Sequence, residues 1–173
     1  MRRLLPLLLL LLPGCGLRPL YAGGGSGAVA SALAGVEVAP IEGRSGWLMS
    51  NALRDRLGAG GGSARYRLDV RLDDRIQGFG LRRDDAITRE RRTLRARYQL
   101  VEAATGAVVL DATAGSDAGI DVVQSEYAVI AAEDTALERL SGIVADEIVA
   151  RVALFARRRP AAQRFDGAGQ PAR

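Results

Sequence analysis

Residues 64–76 read ARYRLDVRLDDRI, and apolar and charged side chains alternate along almost the whole stretch. The apolar positions are Tyr66, Leu68, Val70, Leu72 and Ile76. Because successive side chains of a β-strand point to opposite faces of a sheet, this spacing predicts a strand with one buried and one polar face. Such alternation is typical of a sheet that packs on one side and meets water or a partner on the other.

The flanking segments predict three more strands of the same sheet. Residues 88–102, TRERRTLRARYQLVE, repeat the alternation. Their apolar positions are Leu94, Ala96, Tyr98 and Leu100. A turn at 104–106, Ala-Thr-Gly, leads into a further strand over about 107–116, which is a hairpin signal. Upstream, residues 36–38 alternate briefly before a proline and predict a short first strand.

Two amphipathic segments predict helices. The first begins at Ser45, which suits an N-cap, and ends at Leu57 before a glycine. The second covers 131–160 and ends at a proline. The predicted order is β-α-β-β-β-α, and two helices can cover only one face of four strands. We therefore expect an α+β protein, a two-layer α/β sandwich domain over 36–158 in which both helices lie on one face of a four-stranded sheet.

The start of the chain has the layout of a secretory signal. It opens MRRLLPLLLLLLPGCGLRPLY, a positive start followed by a leucine run. That run is much shorter than the roughly 20 apolar residues that span a membrane. We expect a lipoprotein signal peptide over 1–14, a lipidated Cys15 and a flexible tether over 15–35, and a disordered basic tail over 159–173. An ordinary signal peptide followed by an incidental cysteine is the alternative.

The residues around the only cysteine resemble a bacterial lipobox. They read Leu12-Pro13-Gly14-Cys15. The resemblance implies cleavage before Cys15, a diacylglyceryl group on its sulfur and usually an N-acyl chain, and two or more such chains give stable anchoring. Gly16 follows in place of an acidic residue, which by the same resemblance favours the outer membrane. No other cofactor is expected.

The composition favours binding over catalysis. All 24 basic residues are arginine, and the chain has no histidine and one cysteine. The commonest general base, the Schiff-base amine and the usual zinc ligands are therefore missing, and the thiol is expected to carry lipid. We expect no enzymatic activity. The excess of positive charge lies at the two ends of the chain and is not gathered on the fold, so nucleic-acid binding is not expected either.

One predicted polar face is rich in arginine. Its members Arg89, Arg91, Arg95 and Arg97 alternate along one strand, roughly 6.5 to 7 Å apart. Asp69 and Asp73 of the neighbouring strand could neutralise them in a solvated ion-pair lattice, which contributes little stability. The other interpretation is a platform for an acidic partner surface or for phosphates such as those of lipid A, which arginine binds through two hydrogen bonds.

Between the second and third strands the sequence predicts a long loop. Residues 77–87 read QGFGLRRDDAI, and a loop of this length usually has a purpose. Phe79 and Leu81 at its tip are candidates for contact with a partner or with lipid, and local packing is the alternative. The pair Asp84-Asp85 lacks further ligand spacing, so no metal site is expected.

Three features together resemble the lipopolysaccharide-assembly lipoprotein family LptE. They are the lipobox that runs into CGLRPLY, the predicted element order, and the segment SEYAVIAAEDTALERLSGIVADEIVARV (125–152) that enters the last helix. The resemblance covers about 14–158. It implies an outer-membrane lipoprotein that faces the periplasm, plugs the lumen of the large β-barrel LptD, and supports barrel assembly and delivery of lipopolysaccharide to the outer leaflet. Its implied partners are therefore an LptD-type barrel and lipopolysaccharide.

Two other classes of protein remain open on the sequence. An anchored periplasmic binding module of another envelope machine, such as a lipid-transport auxiliary or a peptidoglycan-synthase activator, would need the same anchor and a similar fold. An envelope enzyme would need a catalytic base supplied by an aspartate or glutamate in a cleft.

Overall fold

A computed structural model describes residues 28–58, 64–81 and 87–166 of the chain. Within these ranges one four-stranded sheet is combined with three helices. In chain order the elements are α1 (Ala28–Ala34), β1 (Val36–Val38), α2 (Gly43–Leu57), β2 (Tyr66–Leu81), β3 (Ile87–Glu102), β4 (Val108–Asp121) and α3 (Glu126–Asp166). The predicted α+β class and the order β-α-β-β-β-α are confirmed, with one short helix in front.

The strands lie in the sheet in the order in which they occur in the chain, β1-β2-β3-β4. β1 is parallel to β2, because α2 crosses over between them, and the two hairpins that follow are antiparallel. The β2–β3 register is constant from Tyr66 opposite Glu102 to Leu81 opposite Ile87. All residues of one parity therefore face the same side of the sheet along the full length of the hairpin.

Both long helices cover the same face of the sheet. The even-numbered apolar residues of the strands are buried, as alternation predicts, and they pack against side chains of α2 and α3. The largest fully buried side chains include Leu68, Leu94, Tyr98 and Leu100 from the sheet and Met49, Leu53, Leu140 and Ile148 from the helices. The odd-numbered face carries most of the charged side chains, so the molecule is a two-layer sandwich with an open polar face.

Helices α2 and α3 run parallel to each other. Arg44 at the start of α2 pairs with Asp134 at 2.8 Å, and Arg56 near its end pairs with Asp146. The two pairs are separated by the same number of residues on both helices. α3 begins after β4 at the end of the sheet where β2 turns into β3, which we call the distal end, and the start of α2 lies beside Asp134 in the third turn of α3.

Several helix boundaries differ from the sequence prediction. α2 begins at Gly43, and Glu42 precedes it without a side-chain cap, so the expected cap at Ser45 is wrong. α3 begins at Glu126 and continues through Pro160 to Asp166. A proline in a helix removes one backbone donor, but the hydrogen bonds of the flanking turns can remain. The first part of the predicted basic tail is therefore helical, and residues 167–173 lie outside the described residues.

The N-terminal region also contains more structure than the sequence indicates. Residues 28–34, which were predicted as part of the tether, form α1, and Leu33 is buried in the core. Alanine favours helix, and a single leucine was enough to attach this turn to the core. The predicted signal peptide, Cys15 and the tether up to 27 lie outside the described residues. No helix of the described part combines the length and apolar character that crossing a membrane requires.

The predicted loop at 77–87 is largely wrong. β2 continues to Leu81 and β3 begins at Ile87, so Phe79 and Leu81 lie on a strand, opposite Arg89 and Ile87. Gly78 and Gly80 suggested a loop because glycine is depleted in strands. The backbone ladder to β3 nevertheless continues past them, and Gly80 has a φ of 80°, a conformation that glycine adopts without strain.

The start of α2 is fixed by a close backbone approach at Gly46. This glycine is buried, and a Cβ atom placed on it would lie 2.5 Å from the carbonyl oxygen of Ile41. That oxygen belongs to the connection between β1 and α2. Only glycine therefore allows the helix to pack against the connection that leads into it.

We predict that Gly46→Ala destabilises the fold by about 1 to 3 kcal/mol, because the connection must move away from the added methyl group. Gly142→Ala is the matched control, since its Cβ would meet only the Arg56 guanidinium, at an ordinary 3.5 Å. In a helix this control should be neutral or should stabilise by up to about 1 kcal/mol. Urea unfolding followed by circular dichroism measures both variants, and equal effects would contradict the close-approach argument.

Candidate binding face

The four arginines singled out from the sequence lie side by side on the open face of the sheet. Arg89, Arg91, Arg95 and Arg97 are odd-numbered residues of β3, and all four are exposed. β3 lies between β2 and β4, so each arginine has a strand on both sides. The partners available to the arginines are therefore decided by the register with two neighbouring strands.

Three of these arginines are paired with aspartates of β4. Arg89 lies 3.1 Å from Asp121, Arg91 lies 3.9 Å from Asp117, and Arg97 lies 3.1 Å from Asp111. The expectation that Asp69 and Asp73 neutralise the row is wrong. Those aspartates bind arginines of their own strand, Arg67 at 2.9 Å and Arg75 at 2.8 Å, two residues away on the same face.

The best-defined pair on this face joins Arg97 and Asp111. The guanidinium donates two hydrogen bonds to the carboxylate, and Gln99 donates a third at 2.9 Å. The hydrogen bond from Arg97 lowers the pKa of Asp111, and the one from Gln99 lowers it further. Both partners are solvent-exposed, so the pair adds little to stability. The effect of the pair is to neutralise the charge of Arg97.

Arg95 differs from its three neighbours because it has no ion pair with any described residue. Its Cγ atom would lie 3.1 Å from a Cβ on Gly115, so the arginine stem lies across a glycine of β4. The surrounding depression has a volume of about 590 Å³. Its polar lining includes Arg71, Arg95, Arg97, Thr93 and Thr113. The carboxylates of Asp73, Asp117 and Glu147 line it as well, so Arg95 lies among both hydroxyl and carboxylate groups on the open face.

Arg71 of β2 is the second open-face arginine without an ion pair to a described residue. It lies opposite Arg97 and diagonal to Arg95 in the sheet. The sequence analysis did not single it out, although its position in the alternation of 64–76 placed it on the polar face. Arg71 would have been included if all odd-numbered arginines of β2 and β3 had been compared, and not only the four on β3.

Phe79 is half exposed on the same face, close to the distal end. Its exposed fraction is 42%, and the guanidinium of Arg91 lies 5.3 Å from its ring centroid. This cation–π contact holds Arg91 toward β2 while Asp117 lies toward β4. The contact proposed for Phe79 and Leu81 thus starts from a strand and not from a loop tip.

A polar cluster that the sequence did not indicate ties α3 to the inner face at the distal end. Arg92 bonds Asp74 at 2.6 Å, with exposed fractions of 11% and 19%, and also donates to the main-chain oxygen of Glu133 at 2.8 Å. One carboxylate oxygen of Glu90 is buried without a hydrogen-bond partner among the described residues. Burial raises the pKa of Glu133, and the neighbouring Glu90 raises it further.

The described residues contain no group of three potential metal ligands among histidine, cysteine, aspartate and glutamate. Asp84-Asp85 lies outside the described residues, as does Cys15. The face presents an array of guanidinium and carboxylate groups in which Arg71 and Arg95 have no ion pair with a described residue. Such an array can bind anionic groups by charge-assisted hydrogen bonds.

A family model and several solved structures resemble this chain. The model of the lipopolysaccharide-assembly family LptE matches residues 33–152. A lipoprotein of Caulobacter crescentus CB15 is 26% identical, with a TM-score of 0.64 over 76% of this chain and 98% of that one. No curated protein sequence matches the chain.

Two more distant structures share the fold alone. A minor lipoprotein of Acinetobacter baumannii is 16% identical, with a TM-score of 0.54 over 69% of this chain and 91% of that one. Lipoprotein B of Nitrosomonas europaea is 12% identical, with a TM-score of 0.53 over 72% and 88% of the two chains. The two-layer arrangement is thus found in lipoproteins of low sequence identity to this chain.

We predict that Glu133→Gln stabilises the protein at pH 7. Because the pKa of Glu133 is raised in the folded protein, its protonated carboxyl group stabilises the fold. This contribution to the free energy of unfolding is fully present below the ordinary pKa of glutamate, and it is lost as the pH rises through the raised pKa of Glu133. The variant should therefore melt at a higher temperature than the parent at pH 7, and the difference should shrink toward pH 4. Asp134→Asn, which breaks the pair with Arg44, is the control and should give no such gain.

Proposed function

The chain belongs to the LptE lipopolysaccharide-assembly family, and we propose that it is a lipid-anchored plug of an LptD-type β-barrel in the outer membrane. The matched residues 33–152 contain all four strands, the crossover helix and most of α3. Membership gives the chain a role in lipopolysaccharide transport and assembly as an outer-membrane lipoprotein. The plug, the anchor and the lipopolysaccharide contact are the parts that we propose.

The open face of the sheet supports the plug. The lumen of a large outer-membrane barrel is polar, and this face presents alternating guanidinium and carboxylate groups. On the opposite face, α2 and α3 pack on the strands and bury most of the apolar side chains of the sheet. A sandwich with a polar open face is therefore suited to a water-lined cavity.

The position of α1 supports the anchor. The α1 helix packs on the core through Leu33, and the segment between Cys15 and Ala28 would reach at most about 45 Å when fully extended. That length is enough for a lipidated Cys15 to lie in the membrane while the domain enters a barrel. It is too short for the domain to act far from the membrane.

Arg95 is the residue that we propose for contact with lipopolysaccharide. Arg89, Arg91 and Arg97 would have to compete with an aspartate that already holds them and that repels a phosphate. The guanidinium of Arg95 forms no ion pair with a described residue. Of the carboxylates that line its depression, Asp73 binds Arg75 and Asp117 lies near Arg91. Glu147 accepts a hydrogen bond from Gly115, and the hydroxyl groups of Thr93 and Thr113 line the same depression. The single observation that carries the contact is this difference in pairing.

We propose a non-catalytic role for the chain. The open face offers binding groups, and the lipid is held or passed on without chemical change.

An anchored module of another envelope machine would present the same fold, so the identity of the partner decides between this function and the barrel plug. A pull-down from detergent-solubilised outer membranes, with an affinity tag after residue 173, should recover a large β-barrel in about equal amount. Recovery of a peptidoglycan synthase or an inner-membrane transporter in its place would overturn the plug.

Metabolic labelling tests the anchor. Cells that express the full chain and receive an alkyne-bearing palmitate analogue should incorporate the label into this protein, and Cys15→Ser should abolish the incorporation. The variant should also appear in the soluble fraction, since a thioether-linked lipid can no longer form. Label that persists in the variant would place the lipid elsewhere and contradict the assignment.

We predict that Arg95→Gln weakens lipopolysaccharide binding by about ten- to a hundredfold, since one hydrogen bond to a charged group contributes about 1.5 to 3 kcal/mol. Arg89→Gln is the matched control, an arginine of the same strand and face that Asp121 occupies, and should lose less than about threefold. Titration with fluorescent lipopolysaccharide measures both variants, and their melting temperatures should stay close to that of the parent. Equal losses would show that general charge and not pairing controls the contact.

A further inference from the structure

Among the described residues the sheet has two outer edges, the full length of β4 and the part of β2 that β1 leaves uncovered, which we call the open edge. β1 is three residues long and β2 is sixteen, so β1 accompanies only the first part of its neighbour. Beyond Leu68 no described strand lies beside β2 on this side. A long unpaired strand edge is a template for pairing with another chain unless it is covered or interrupted.

The hydrogen bonds to β1 show which residues of β2 face this edge. The backbone N–H of Tyr66 donates to the carbonyl of Gly35, and the carbonyl of Leu68 accepts from the N–H of Ala39, both at 3.0 Å. Even-numbered residues therefore direct their backbone groups toward β1. Because the β2–β3 register is unbroken, the same side of the strand continues through the even-numbered residues 70–76. Four residues thus offer backbone donors and acceptors along the open edge.

The opposite edge of the sheet is treated differently. On β4 the outward N–H of Gly115 donates to the carboxylate of Glu147 on α3, at 3.4 Å. A helix side chain therefore reaches the β4 edge and takes up one of its donors. The β2 edge has no such contact among the described residues. The difference between the edges comes from the positions of the helices, since α3 lies over β3 and β4.

Helix α2 carries one exposed aromatic side chain, Trp47. Arg56 lies on the side of α2 that faces α3, and nine residues at 100° each place Trp47 half a turn away from it. Trp47 is 64% exposed and lies on the side of α2 opposite Arg56. Leu72 and Ile76 of β2 lie on the same, inner face of the sheet. An added strand would find apolar surface on this side.

The other side of the open edge is positively charged at one point. Asp69 is held by Arg67 and Asp73 by Arg75, so both pairs are neutral. Arg71 lies between these pairs without an ion pair to any described residue. It borders a depression of about 490 Å³ at the end of β1, lined also by Pro40 and Val70. The charge of Arg71 is complementary to an acidic side chain on whatever lies in that position.

We propose that the edge of β2 from Val70 to Ile76 binds an extended segment of a partner protein, which adds to the sheet as a further strand. In the bound segment, the side chains on one face are apolar and contact Trp47 and Ile76, and those on the other face are acidic and lie near Arg71. Backbone hydrogen bonds supply the affinity and the alternate side chains the specificity, as in other strand-addition complexes. This docking site adjoins the lipopolysaccharide contact, because Arg71 and Asp73 line the same depression as Arg95, but it binds a different ligand and goes beyond the proposed function.

Photo-crosslinking with register mapping tests the proposal. The photoreactive amino acid p-benzoylphenylalanine replaces Asp73, Arg75 or Gln77, one at a time, in the full chain in its own outer membrane. These three positions are exposed, lie on one face and are two residues apart. The cross-linked residues, located by mass spectrometry, should lie in one segment of another protein, in steps of two, and the segment should alternate apolar and acidic residues. The same probe at Thr113 or Asp117 of β4 is the control and should give no such pattern.

A surface substitution completes the test without disturbing the core. Trp47→Ala should lower the cross-linking yield at Gln77 at least threefold, whereas Arg54→Ala, two turns along the same side of α2, should leave it unchanged. Cross-links to residues of this chain, in the same or a second copy, would overturn the proposal, because the edge would then be closed by the protein itself. Scattered cross-links, or none, would overturn it as well. None of these outcomes depends on whether the partner of the pull-down is a β-barrel.

Discussion

Coverage of only one sheet face is the constraint on which the rest of the structure depends. α2 and α3 lie parallel on the even-numbered side, where Leu68, Leu94 and Tyr98 exclude water. The alternation of the strands follows directly, because a shift of one residue would place the arginines in the core and the leucines in solvent. The open face can therefore be rich in charge without any cost in buried charge. The binding groups and the core occupy alternate residues of the same strands.

This constraint also explains how much could be predicted from the sequence. The alternation in 64–76 and 88–102 was sufficient for the sheet, its polar face and the position of both long helices. It failed where side chains are small: Gly78 and Gly80 hid the end of β2, and Ala118 and Gly119 hid the end of β4. Such residues have no side chain that would reveal a period, and only the ladder to β3 keeps them extended. The Ser45 cap failed for a different reason, since the Gly46 contact with Ile41 places the start of α2.

The pairing of the arginines depends on register, which sequence periodicity does not contain. Alternation shows that Arg89, Arg95 and Arg97 share a face, but it does not show which acids of β4 lie beside them. The β3–β4 register includes an irregularity between Leu100 and Val101, just before the turn that connects the two strands. A register moved by two residues would keep every side chain on its face and still change which arginine lies across a glycine. The candidate site was thus predictable as a face but not as a residue.

The edges of the sheet follow from the lengths of the elements rather than from their composition. β1 ends after three residues because the chain turns at Pro40 into the connection to α2, and that connection is packed tightly at Gly46. A longer β1 would cover the edge of β2 but would move the start of α2 away from Asp134, its partner on α3. The short length of β1, the parallel packing of α2 and α3, and the open edge of β2 therefore depend on one another. In this arrangement the face of the sheet is suited to small anionic groups, and its edge is suited to a polypeptide, because only a backbone can satisfy a row of alternating donors and acceptors.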